Sequence, residues 1–167
     1  MIIACIPAYN EEKTIAKVVL LAQKHVDMVF VCDDGSKDLT ADIAKRLGAT
    51  VIRHDENLGY GAAIQSLFRK ARELDADVLV TMDADGQHDP REIPELIQPI
   101  LDGEADIVLG SRFLGGHNDA PAYRRFGIKL ITNLSKRSRK FSDALCGFRA
   151  YSKKAVERLN LNEKGMG

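Results

Sequence analysis

The sequence predicts an α/β domain, a three-layer α/β/α sandwich around a mostly parallel central sheet. Two observations carry this expectation. Short apolar runs alternate along the chain with amphipathic stretches whose apolar residues recur every three or four positions. Polar turns follow the apolar runs directly, as they do where parallel strands present ligand sites beyond their carboxyl ends.

Taken in order, Ile2-Ile3-Ala4-Cys5-Ile6 reads as a first strand ended by Pro7. Asn10 is placed as the N-cap of the next helix, with Glu11 and Glu12 near its positive end and Ile15, Val18, Val19 and Ala22 on its buried face. Met28 to Cys32 is the second strand, followed by the turn Asp33-Asp34-Gly35-Ser36. Thr40 is expected to cap a short helix bearing Ile43, Ala44 and Leu47, which Gly48 stops. Val51-Ile52 is a brief third strand, and Gly59 and Gly61 open a helix with Ala62, Ala63, Leu67 and Ala71 inward. Val78 to Met82 is a fourth strand reaching Asp83, and Pro90 precedes a helix marked by Ile93, Leu96, Ile97 and Ile100. Ile107-Val108-Leu109 is a fifth strand ending at Gly110-Ser111-Arg112. Tyr123 to Lys136 reads as a helix through Phe126, Leu130, Ile131 and Leu134, and a last strand and helix follow over Phe148–Tyr151 and Lys153–Leu159.

At 167 residues, 45% apolar and 29% charged, the chain fits one soluble domain over 1–167, large enough for a core without staples. Zero net charge gives no global signal for nucleic acid. Charge is uneven, however. Arg112, Arg124, Arg125, Lys129, Lys136, Arg137, Arg139 and Lys140 form a basic stretch, suited to an anionic partner or to a solvated helix face. Cys5, Cys32 and Cys146 have no zinc spacing and fit a reducing compartment. Met1 leads straight into a strand, and no apolar run approaches the roughly 20 residues of a membrane span. The expected location is cytoplasmic, including the cytoplasmic membrane face.

The turns Tyr9-Asn10-Glu11, Asp33 to Ser36, Asp83 to His88 and Gly110-Ser111-Arg112 should converge on one sheet edge. Within them, Asp83 and Asp85 can share a hard divalent ion, with a carbonyl oxygen from Gln87. Magnesium and manganese commonly take one or two carboxylates and fill the rest of their shell with phosphate and water. A loop whose aspartates merely cap the next helix is the plain alternative. Two sharper rivals fit poorly. A phosphatase with a nucleophilic first Asp usually opens its domain with that motif, and a calcium loop needs an acid or Asn at position 87.

In order along the chain stand Ile6-Pro7-Ala8-Tyr9-Asn10-Glu11-Glu12, Asp33-Asp34-Gly35-Ser36 and Asn57-Leu58-Gly59-Tyr60-Gly61-Ala62-Ala63. Then come Met82-Asp83-Ala84-Asp85-Gly86-Gln87-His88-Asp89-Pro90, Gly110-Ser111-Arg112 and Cys146-Gly147-Phe148-Arg149. Together these six pieces resemble family 2 glycosyltransferases of the GT-A fold, and within them the dolichol-phosphate mannosyltransferase and polyprenyl-phosphate glycosyltransferase group. The resemblance implies that Pro7, Tyr9 and Glu11 meet the base and ribose of a nucleotide-sugar, and that Asp34, with Asp33, contacts the base. It implies that Asp83 lies on the nucleotide side, and that Asp83, Asp85 and Gln87 hold the magnesium or manganese bridging the diphosphate. Pro7 and Asn10 also serve strand termination and capping, and the glycines at 59 and 61 also permit close helix packing. Arg112, and one of Arg124 or Arg125, would grip the acceptor phosphate with the bidentate fork of a guanidinium. Cys146, His54 and His117 carry no functional expectation.

The implied reaction is inverting displacement at the anomeric carbon of a nucleotide-sugar of the GDP-mannose or UDP-glucose type by a polyprenyl phosphate. A phosphate monoester, with a second pKa near about 6, is already largely dianionic at neutral pH and needs no strong base. Asp89 is the fallback base should a saccharide hydroxyl be the acceptor. A nucleotidyltransferase is the competing enzyme class, though Pro7-Ala8-Tyr9-Asn10 stands where such enzymes carry a Gly-rich basic loop; a non-catalytic nucleotide-binding module is the third reading. The group's members continue beyond the last helix, so the single domain is expected to be truncated at its C-terminus.

Overall fold

Apolar runs buried on both faces build the strands at the centre of the sheet, as parallel pairing under two helical layers requires. The computed structural model describes residues 1–111, 127–131 and 147–159. Its strands are β1 (Ile2–Ala8), β2 (Met28–Asp33), β3 (Thr50–Arg53), β4 (Val78–Thr81), β5 (Ile107–Ser111), β6 (Gly127–Ile131) and β7 (Arg149–Ser152). They lie in the order β3-β2-β1-β4-β7-β5-β6. β1 pairs in parallel with β2 and β4, and β2 with β3, whereas β7 runs antiparallel between β4 and β5, and β6 antiparallel to β5.

Period-two alternation divides the core between two layers. On one face Ala4, Ile6, Val29, Val31, Val78 and Val80 meet α1 (Ile15–Ala22), α2 (Thr40–Arg46) and α4 (Ile93–Leu101). On the other, Ile3, Cys5, Phe30, Cys32 and Leu79 meet α3 (Tyr60–Glu73) and α5 (Lys153–Arg158). The sheet is therefore the middle of three layers, as the alternation of apolar runs predicts. Phe68 of α3 packs edge-on against Tyr151 of β7 with ring centroids 5.1 Å apart. Arg72 of α3 donates to the carbonyls of Val156 and Leu159 at 2.8 and 2.5 Å, tying α3 to the end of α5. Among the described residues, no helix is long and apolar enough to cross a membrane.

Four local expectations are corrected. Residues 127–131 form a strand, not part of a helix over 123–136. Leu130 and Ile131 fit a helical spacing, but Ile128 and Leu130 also alternate, and the free edge of β5 supplies a partner over its whole length. Pro7 lies inside β1 and does not end it. The carbonyl of Cys5 faces β4, where it accepts from Met82, so alternation turns the nitrogen of Pro7 to the same side. Pairing with β4 stops at Cys5, and the missing N–H of Pro7 falls where no partner needs it.

Asn10 does not cap α1. It sits at φ 54°, in the left-handed region that a short polar side chain tolerates. Its Oδ1 accepts from the Lys37 amide at 2.9 Å and its own amide donates to Ser36 Oγ at 2.8 Å, so it staples the turn after β1 to the turn after β2. Thr14 occupies the cap position of α1. Thr40 is the first residue of α2 and not its cap. Asp38 accepts from its amide at 3.0 Å, while Thr40 Oγ1 accepts from the Glu11 amide at 2.8 Å.

Candidate active site

The chain winds outward from β1 to β2 and β3, then returns to the other side of β1 as β4. That reversal opens a crevice beyond the carboxyl ends of β1 and β4, the place where open α/β sheets bind ligands. A cavity of about 340 Å³ occupies it. Pro7, Ala8, Tyr9 and Glu11 line it from the end of β1, and Asp34 from the end of β2. Asn57, Gly59, Tyr60 and Ala63 form the wall at the start of α3, and Asp83, Ala84 and Asp85 the side beyond β4.

Glu11 is held by Thr14, whose hydroxyl donates to its Oε2 at 2.8 Å. Asp34 is nearly enclosed and accepts three hydrogen bonds. His54 Nδ1 lies 2.6 Å and the Leu58 amide 3.0 Å from its Oδ1, and the Gly59 amide 2.8 Å from its Oδ2. These contacts join the ends of β2 and β3 to the entry of α3. Asp33 is placed differently. Alternation along β2 sends it to the α1 face with Val29 and Val31, fully buried and outside the cavity lining. Its charge faces Arg53 Nε at 3.2 Å.

The acidic turn after β4 is built against β7. Thr81 Oγ1 donates to the Gly147 carbonyl at 3.0 Å, which draws the start of β7 alongside. A Cβ on Gly147 would coincide with the Asp83 carboxylate, so only glycine allows the two to sit side by side. His88 stacks on Phe148 with centroids 5.3 Å apart, and its Nε2 lies 3.6 Å from Asp83 Oδ2. Burial first, and then the Asp83 charge, push the Tyr60 phenol well above its ordinary pKa.

Asp85 Oδ1 accepts from the Gln87 amide at 2.8 Å. Gln87 is exposed and outside the cavity lining; half-buried Asp89 also lies outside it, its carboxylate gripped by Arg91 at 2.6–3.0 Å. Hydrogen bonding from Arg91 holds the Asp89 pKa below the usual carboxylate value. Arg112, Arg124 and Arg125 lie outside the described residues. The structure thus brings together Pro7, Tyr9, Glu11, Asp34, Asp83 and Asp85, and sets apart Asp33, Gln87 and Asp89. His54, Asn57 and Tyr60 join them without a role having been expected for their side chains. His54 directly follows a strand at the ligand edge, and that position was the signal available for it.

Among the described residues no three His, Cys, Asp or Glu side chains cluster closely enough to enclose a metal ion by themselves. Asp83 and Asp85, two carboxylates on one turn facing a cavity, suit a cation that draws its remaining ligands from a bound phosphate and water.

Residues 3–159 match the family described as glycosyl transferase family 2. The chain is 37% identical to a UDP-N-acetylglucosamine–dolichyl-phosphate N-acetylglucosaminyltransferase of Methanococcus voltae, over 96% of this chain and 72% of that protein. It is 33% identical to a dolichol-phosphate mannosyltransferase of Pyrococcus furiosus, over 96% of this chain and 48% of that one. Its fold matches glucosyl-3-phosphoglycerate synthase of Mycobacterium tuberculosis, solved with Mn2+ and UDP-glucose, at a TM-score of 0.60 and 25% identity, over 92% of this chain and 56% of the other. The chain thus spans from about half to under three quarters of the length of these relatives. With its three-layer sandwich, and with these transferases as relatives, the chain belongs to glycosyl transferase family 2, in the polyprenyl-phosphate glycosyltransferase group.

Proposed function

We propose that this chain transfers a hexosyl group from a nucleotide-sugar, of the GDP-mannose or UDP-glucose type, to a polyprenyl phosphate, with inversion at the anomeric carbon. The observation that supports this reading most is the gathering of Glu11, Asp34, Asp83 and Asp85 around one cavity at the sheet's switch point. The Methanococcus and Pyrococcus relatives, transferases to dolichyl phosphate, support that acceptor. Family membership removes the support for a nucleotidyltransferase.

In this reading Pro7 and Tyr9 flank the base and ribose, and Asp34 meets the base. Asp83 and Asp85, with Gln87 if its side chain turns inward, hold magnesium or manganese. A cation held there would supply positive charge against the developing charge of the departing diphosphate. The absence of a Cβ on Gly147 leaves the Asp83 carboxylate room to sit against the entry to β7. The acceptor dianion attacks without a base, and Arg112 with Arg124 or Arg125 is assigned to its phosphate. Asp89 is poorly suited to be a base for a hydroxyl acceptor, because Arg91 lowers its proton affinity. The reaction is placed at the cytoplasmic membrane face, where a lipid phosphate is presented.

Calorimetric titration of the chain with nucleoside diphosphates and manganese tests the site. Binding should require the metal and fall at least about tenfold in Asp85→Ala. Metal-independent binding untouched by that substitution would defeat the reading. Transfer of labelled sugar to a polyprenyl phosphate, and not to a free saccharide, tests the acceptor.

A further inference from the structure

A carboxylate offers four acceptor positions, two on each oxygen. Asp34 spends three of them on the protein. Its Oδ1 receives His54 Nδ1 at 2.6 Å and the Leu58 amide at 3.0 Å, which uses both lone pairs. Its Oδ2 receives the Gly59 amide at 2.8 Å and keeps one position. The side chain is only 5% exposed, and Asp34 is part of the cavity wall. His54 is itself anchored, with Nε2 2.9 Å from Ser66 Oγ in α3 and 3.6 Å from Cys32 Sγ in β2. A carboxylate only accepts, so Nδ1 carries the proton, and Ser66 can donate to Nε2.

We propose that His54 is a positioning residue that turns Asp34 into a single-acceptor site, and so selects uracil over guanine in the nucleotide donor. The inference rests on the nucleotide-sugar reading above and names the base. Uracil presents one imino N–H, at N3, between two carbonyl oxygens, and one free position on Oδ2 satisfies it. Guanine presents the N1–H and the adjacent exocyclic amino group, a pair that needs both oxygens of a carboxylate. With Oδ1 filled by His54 and Leu58, one of those donors would be buried without a partner. Cytosine and adenine turn an acceptor nitrogen to the carboxylate where uracil has its N–H, and reach Oδ2 only by shifting to offer the neighbouring amino group. A site whose polar groups are committed in this way rejects mismatched donors more strongly than an apolar pocket would.

The test is calorimetric titration of the full chain, with manganese, against UDP, GDP, CDP and UDP methylated at uracil N3. UDP should bind about tenfold or more tighter than each of the other three, since each loses, strands or must shift to keep a hydrogen bond to a charged group. His54→Phe keeps a ring in place while releasing one lone pair of Oδ1, and should narrow the UDP-to-GDP ratio to within about threefold. A packing role alone for His54 would weaken both nucleotides alike and leave that ratio unchanged, which would overturn the proposal. GDP binding as tightly as UDP to the parent chain, or N3-methylated UDP binding as tightly as UDP, would also overturn it while leaving a nucleotide site standing. Binding of no nucleotide would overturn it together with the nucleotide-sugar reading. The parent-chain comparisons need no variant to fold.

Discussion

Replacing Gly35 by alanine perturbs the floor of the site through the backbone alone. Gly35 sits at φ +73°, and a Cβ built on it would stand 2.5 Å from the carbonyl carbon of Glu56 and 2.8 Å from the Asn57 nitrogen. Ordinary carbon contacts begin near about 3.5 Å, so the 56–57 backbone has to withdraw by roughly 1 Å. The left-handed conformation costs an L-residue about 1–2 kcal/mol, and overpacking adds about 1–3 kcal/mol. For a domain of this size the melting temperature should fall by about 5–15 °C. The displaced segment carries Asn57 and Gly59 of the cavity wall, and a shift of about 1 Å in a binding wall can cost about a hundredfold in turnover. Gly103→Ala is the control, because Gly103 has the same φ of +73° but nothing within 4 Å of the built Cβ. It should show only the left-handed penalty of about 1–2 kcal/mol, with nucleotide binding intact. Urea melts and calorimetry on both variants decide the matter. If Gly35→Ala is no less stable than Gly103→Ala and binds nucleotide like the parent, the close-approach reasoning is wrong.

Burial pushes the Cys5 thiol far up, and burial followed by the Asp34 and Asp33 charges pushes Cys32 up to about 12. Neither should react with iodoacetamide in the native chain at pH 8, and both should react in urea; rapid native labelling of the Cys32 peptide by mass spectrometry would contradict this. The Asp89 pKa is lowered in the fold by hydrogen bonding from Arg91, so the stabilisation it brings is complete above its unfolded value of about 3.9 and is lost as pH falls through the folded value. Urea midpoints of the parent and Asp89→Asn should therefore differ most near neutral pH and converge in strong acid. A pH-independent offset would refute that assignment.

What the sequence made legible was whatever depends on period and order. The parallel strands announce themselves because burial on both faces leaves unbroken apolar runs, and the turns that follow them had to share an edge. Residues 127–131 were illegible for the opposite reason: an edge strand has no such run, and the free edge of β5 that defines it lies elsewhere in the chain. Pro7 needed knowledge of where β4 stops pairing. Asp33 and Asp34 look equivalent as letters, yet the pleat sends one to the α1 face and the other to the cavity. His54 carried too little signal by itself. Its significance lies in two contacts, with Asp34 and Ser66, that join three separate elements.

β7 is the last described strand in the chain, yet it lies between β4 and β5 near the middle of the sheet. During synthesis, both of those strands must wait with an unpaired edge until residues 149–152 emerge. β1 to β4 can assemble early, but β5 has no strand pairing with them before β7 arrives. Exposed edges of this kind invite pairing with other chains. The insertion of β7 also brings Gly147 beside Asp83, so the event that closes the sheet is the same one that completes the acidic turn. A nascent chain paused before that point would be prone to self-association.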